Sequence, residues 1–189
     1  MYNHRCSWVD LTSDLYIDYH DREWGNPSHD DRHLFEMLIL EGAQAGLSWI
    51  TILKKRLNYK KAFDNFDYNK ISKYNSSKVS ELLLNEGIIR NKLKINSAIK
   101  NANVFIKIQN EYKSFNNYIW QFVNNQPIIN SFEKSSSVPV NTSISDKISK
   151  DLKKRGMSFV GSTIMYSFMQ AVGMVNDHTT DCFRYKDLL

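Results

Sequence analysis

Two cysteines and two histidines carry the first chemical signal in this 189-residue chain. His178 and Cys182 stand four residues apart, so one helical turn would bring both side chains to the same side. Cys6 and His20 supply a second thiol and imidazole from the other end, and the set uses every cysteine present. Two sulfurs and two imidazoles make a closed tetrahedral ligand set, the pattern of structural zinc, with no open position for water. Stability rather than catalysis is the role expected of it. The plainer alternative is two ordinary buried thiols and two unrelated histidines, and His4, His29 and His33 show that histidine is not reserved for ligation.

A second signal is Glu41, an acid that follows the apolar run LFEMLIL, with Trp8, Tyr16, Tyr19, Trp24 and Trp49 as candidate neighbours. A carboxylate at the apolar end of a helix is costly unless it is paired or functional. Aromatic walls can stack an extruded base, and their faces favour a cation. The rings can equally be core residues, with Glu41 facing solvent.

A third is KKRGMSFVGST, residues 153–163: a Lys-rich helix end, a Gly-x4-Gly turn, then a helix opening at Ser162 and Thr163. This is similar to a helix-hairpin-helix motif. Gly156 and Gly161 would let the turn and the following helix N-terminus approach a DNA phosphate. Lys153, Lys154 and Arg155 would add screening charge. Gly-containing turns between helices are common, so simple connection is the competing reading.

The elements that must position these groups read as helices. One spans Asp30 to Ala45, capped by Asp30 or Asp31, with Leu34, Met37, Leu38 and Glu41 on one face. After the break AGLS, Ser48 caps a second helix towards Phe63. Ser76 or Ser77 starts a short helix that Gly87 ends. The longest pattern runs from about Arg90 to Tyr112, with Leu93, Ala98, Ala102, Phe105 and Ile106 as its apolar side. Phe115 to Phe122 forms another, and Asn124 to Asn141 reads as an exposed loop. A helix from Ser143 or Ser145 and a last one from Ser162 to Val172 complete an all-α chain, one domain over residues 1–189. No run shows clean period-two alternation.

Length suffices for a sizeable core, and 42% hydrophobic with 24% charged residues excludes a disordered chain. The 25 basic against 20 acidic residues give +5, which fits a polyanionic partner or simple solubility equally. No stretch reads as a bilayer span or a signal peptide, so no membrane partner and a cytoplasmic location are expected. A disulfide is not expected in that reducing compartment.

These signals share one chain with CSWVD, YIDYHDREWG, LFEMLILEGAQAGLSWITILKKR, NEGIIRNKLKI, WQFVNNQP, KKRGMSFVGSTIMYSFMQAVG and VNDHTTDC. Together these blocks closely resemble the DNA-3-methyladenine glycosylase I family, a zinc-containing branch of the helix-hairpin-helix glycosylases, from about Arg5 to Cys182. The resemblance implies a compact fold in which a zinc site joins the two ends. It implies an enzyme that flips 3-methyladenine out of alkylated double-stranded DNA and hydrolyses its N-glycosidic bond, leaving an abasic site. On that analogy Glu41 and Tyr19 hydrogen-bond the base edge, and Trp49 stacks on its face. Trp8, Tyr16 and Trp24 complete the pocket, and Ala45, Gly46 and Leu47 press into the gap in the stack. Zinc would sit on Cys6, His20, His178 and Cys182. Asp177, the nearest candidate to support a departing sugar cation, is not expected to do so. No lysine is placed as a Schiff-base nucleophile, so strand cleavage is not expected, and a single pocket and wedge imply a monomer. A zinc-stapled binding module, or a glycosylase for another damaged base, remains the rival reading.

Overall fold

The computed structural model describes residues 4–189. The helices are α1 (Asp14–Arg22), α2 (Asp31–Gln44), α3 (Trp49–Ala62), α4 (Tyr68–Ile71), α5 (Ser76–Leu84), α6 (Lys92–Tyr112), α7 (Phe115–Trp120), α8 (Ser143–Arg155), α9 (Ser162–Ala171) and α10 (Phe183–Asp187). The helix α2 is the axis of the fold. Every residue from Leu34 to Ala43 is buried, because α3, α6, α7 and α9 pack around it. A single apolar face, expected for α2, is therefore replaced by burial all round. None of the helices is long and apolar enough to cross a membrane.

Local capping explains most boundaries. Asp30 caps α2 by accepting from His33 N at 2.8 Å. The neighbouring Asp31 serves α7 instead, accepting from Phe115 N and Asn116 N at 2.9 and 2.7 Å. Ser48 stands at the N-cap of α3 without making a cap bond; its hydroxyl pairs with Thr51. Asn75, not Ser76 or Ser77, caps α5. Thr142 caps α8 in a reciprocal box with Ser145.

Two further expectations need correction, and one helix escaped the sequence reading. Leu93 is 70% exposed, and the core face of α6 is Ile95, Ala98, Ala102, Phe105 and Ile108. The helix α1 was not legible, since its nine residues are mostly polar. The segment 124–141 is not wholly a loop: Ile128–Ile129 (β1) pairs in parallel with Val175–Asn176 (β2). Two-residue strands are too short to show alternation. The pairing follows a tight turn at Gly173, where φ is +70° and an added Cβ would lie 2.3 Å from the backbone of Asn26 and Pro27. This turn aims the chain from α9 towards its metal-ligand-type residues.

Candidate active site and metal centre

A cavity of about 370 Å³ opens beside α2, within the range of small-molecule sites. Trp8, Tyr16, Tyr19, Trp24, Glu41 and Trp49 all line it, so the structure gathers the whole set that sequence spacing left scattered. The helix α1 contributes Tyr16 and Tyr19, α2 contributes Glu41, and α3 opens with Trp49. Tyr19 and Trp49 have ring centroids 5.3 Å apart, tilted by 46°. Trp8 packs on Tyr16 at 5.2 Å and edge-on to Trp24 at 4.9 Å, forming the opposite wall.

Two carboxylates of α2 show what is unusual about Glu41. Glu36 is buried and accepts from Arg56 Nε at 2.7 Å, while Arg56 also grips Glu23 with both terminal nitrogens at 2.6 and 2.7 Å. Glu41 is equally buried, at 4% exposure, yet has no hydrogen bond or ion pair among the described residues. Burial alone pushes its pKa up to about 8. Tyr19 is buried too and is pushed well up by burial and then by the nearby Glu41. The indole N–H of Trp49 is buried with no partner among the described residues. Unanswered polar groups thus converge on one aromatic-lined space, the signature of a site awaiting a ligand.

The opposite wall behaves differently. Asp177 lines the cavity but, unlike Glu41, is held at both oxygens: Asn130 donates to Oδ1 at 2.6 Å, and Tyr166 Oη and Gln170 Nε2 donate to Oδ2 at 2.7 and 2.8 Å. It is a fixed bracket between β2 and α9.

Next to Trp24 lies the Cys/His cluster. Cys6 Sγ, His20 Nε2, His178 Nδ1 and Cys182 Sγ are all buried, and their donor atoms lie within 4.8 Å of one another. Such a group could hold a metal ion. The unused ring nitrogens are engaged: His20 Nδ1 lies 2.8 Å from Asp21, which Arg5 also binds, and His178 Nε2 lies 3.2 Å from Trp24 O. A carboxylate or carbonyl behind each imidazole fixes its tautomer, as metal sites require. Cys182 is held well below the ordinary thiol range by the proton it accepts from Cys6 and by both histidines, and Cys6 is pushed up in turn. His178 and Cys182 do not meet through a helical turn, as their spacing suggested. They flank a non-helical turn closed by Cys182 N on Thr179 O, and Cys182 stands at the N-cap of α10.

The glycine turn joins α8 to α9. Gly156 ends α8 at φ +105°, and Gly161 is the N-cap of α9 with open space around it. Asn101 of α6 clamps the turn from behind, donating to Ser158 O and accepting from Ser158 N at 2.8 and 2.9 Å. Lys153 and Lys154 are exposed, whereas Arg155 is not available for screening. Its guanidinium holds Asp151, Glu111 and the Tyr112 hydroxyl and covers the Tyr118 ring. A smaller cavity of about 180 Å³, sharing Glu41, Gln44, Thr163 and Ser167 with the first, runs between α9 and Ala45, Gly46 and Leu47.

The sequence model of the methyladenine glycosylase family matches residues 8–185. The chain belongs to that family. It is 47% identical over 178 residues to the DNA-3-methyladenine glycosylase of Haemophilus influenzae, covering 94% of this chain and 96% of that one. Against DNA-3-methyladenine glycosylase 1 of Escherichia coli the identity is 49% over 181 residues, covering 96% of each. A solved structure addressing 3-methyladenine recognition by the glycosylase I of Staphylococcus aureus matches with a TM-score of 0.92 at 33% identity, covering 95% of each chain. Membership accounts for the fold and for the shared blocks. Residues that spacing alone did not single out, Gln44, Tyr166, Ser167 and Gln170, also line the cavity beside Glu41. Their only sequence signal is residence in the block EGAQ at the end of α2 and the block STIMYSFMQ of α9.

Proposed function

We propose that this chain hydrolyses the N-glycosidic bond of 3-methyladenine in alkylated double-stranded DNA, leaving an abasic site. One observation carries the reading: Glu41 is a buried carboxylate with no partner among the described residues, at the wall of a cavity lined by six aromatic side chains. Methylation at N3 leaves the base positively charged in the nucleotide. Such a base supplies the charge that Glu41 lacks, whereas neutral adenine would leave the carboxylate buried and uncompensated. Glu41 accepts from the exocyclic amine, Tyr19 meets the base edge, Trp49 stacks on its face, and Trp8, Tyr16 and Trp24 close the far wall.

The charged base is already a good leaving group. Water bonds to C1′ as the C1′–N bond breaks, the bond's electron pair neutralises the methylated ring, and the water's proton goes to solvent. The protein's share is selection and orientation, which needs no strong acid. Asp177 is held by three donors as a structural bracket, and no step is assigned to it.

The backbone N–H groups opening α9 meet a phosphate, assisted by Lys153, Lys154, Ser162 and Thr163, with Gly156 and Gly161 keeping the approach clear. Leu47, 40% exposed beyond Ala45 and Gly46, fills the gap left by the flipped base. Cys6, His20, His178 and Cys182 hold one structural zinc. Zn–S and Zn–N bonds of ~2.3 and ~2.05 Å set tetrahedrally place S and N about 3.6 Å apart, and the observed separations are 3.5, 3.6 and 3.7 Å. Two free thiols in such a site fit the cytoplasm, and one pocket with one wedge suits a monomer.

Chromatography of bases released from methylated duplex DNA tests the activity. Free 3-methyladenine should dominate over 7-methylguanine; protein that binds this DNA and releases no methylated adenine would leave only a binding module.

A further inference from the structure

The helix that carries Glu41 ends without a basic residue of its own. No Lys, Arg or His lies in the last turn of α2, so the negative end of its dipole meets no cation from the helix itself. Lys94 of α6 supplies one from elsewhere in the chain. Its Nζ donates to Ala43 O at 2.8 Å and to Ala45 O at 2.7 Å, bridging the point where α2 stops and the 45–47 loop begins. Among the described residues Lys94 has no carboxylate partner, and its ammonium donates to backbone carbonyls.

The anchor is stiff at both ends. Asn91 caps α6 by accepting from Leu93 N and Lys94 N at 3.0 and 3.1 Å, which fixes the lysine backbone. One residue further, Ile95 is buried in the core. On the other side the loop turns at once: Gly46 sits at φ +77°, and Leu47 N donates to Gln44 O at 2.6 Å. A flexible loop would spend its contact with DNA on becoming ordered; a loop pinned beforehand would not.

We propose that Lys94 is a positioning residue for base extrusion: it holds the 45–47 loop rigid so that Leu47 enters the duplex while Glu41 receives the base. This rests on the reading of that loop as the wedge. Lys94 touches neither base nor sugar, so its loss impairs extrusion and leaves the pocket's affinity for a free base intact.

Single-turnover release of 3-methyladenine from methylated duplex DNA, measured beside tryptophan-fluorescence titration with free 3-methyladenine, separates the two. K94M should slow release tenfold or more, with the free-base Kd within twofold of wild type; K94R, which keeps a cation able to bridge both carbonyls, should stay within about threefold. If K94M does not fold, K94Q, which keeps a donor but loses the charge, should still slow release at least threefold. Wild-type release by folded K94M or K94Q overturns the inference. So does a parallel loss of free-base affinity, or a folded K94R as slow as K94M. A wild-type protein releasing no 3-methyladenine would instead sink the glycosylase reading itself.

Discussion

Glu41→Gln should make the protein more stable and less active, and the stability gain should grow with pH. In the folded chain burial raises the Glu41 pKa from an ordinary 4.5 to about 8. Folding therefore favours the protonated form, so stability is fully present below the unfolded value and is lost as pH climbs through the interval up to about 8. Each pKa unit corresponds to ~1.4 kcal/mol. The wild type should thus lose ~4 kcal/mol relative to E41Q between pH 5 and pH 9. At ~2–4 °C per kcal/mol for a chain of this size, the two melting temperatures should separate by roughly 8–16 °C over that range.

The measurement is a pair of thermal or urea unfolding series on both proteins at matched pH. Other titrating groups, including the Cys/His cluster, are common to both chains and cancel in the difference. Activity supplies the second arm. If the ionised carboxylate is what greets a cationic base, kcat/KM for the wild type should rise about tenfold per pH unit below pH 8 and level above it. E41Q should be slow and lack this rise. A stability gap that stays constant within ~1 kcal/mol from pH 5 to 9 would show that Glu41 is not titrating in a desolvated site, and the charge-selection account would fail with it.

Cys182→Ser should reduce bound metal from about one ion per chain to near zero and destabilise by about 4 kcal/mol or more, the scale of a lost metal site; metal analysis and melting check both, and a fully metallated variant refutes the ligand set. Trp49→Ala removes a stacking face worth ~1–3 kcal/mol per base, so the free 3-methyladenine Kd should rise roughly 5- to 150-fold by fluorescence titration. The double change K153Q/K154Q should lower the slope of log K against log salt for duplex binding by about 1.8. R155Q should leave that slope unchanged and instead lower the melting temperature, because Arg155 is committed to Glu111, Asp151 and Tyr112.

What the chain discloses before folding depends on whether a residue's partner is local. Asp30 capping α2 and Gly156 closing α8 are read from neighbours in sequence, and the structure agrees. The Cys/His set was legible by residue type, although its geometric premise was wrong, since a turn rather than a helix brings His178 and Cys182 together. Arg155 looked like a free cation because the groups that engage it include Glu111, 44 residues away. Nothing in the sequence singles out Lys94, because its acceptors lie 49 and 51 positions back.

The same rule decides between the two carboxylates of α2. Glu36 and Glu41 sit in one apolar helix, and nothing in LFEMLILE says which is structural. The difference is made by α3, whose Arg56 reaches Glu36 and Glu23 but makes no contact with Glu41. One turn and a half along α2, the space beside Glu41 is ringed by aromatic side chains in place of a second arginine. A partner in that space would have made the carboxylate a structural ion pair. Left open, the position stays high in energy until a cation of the right shape arrives, so the instability of the empty site and its preference for a charged base have one cause.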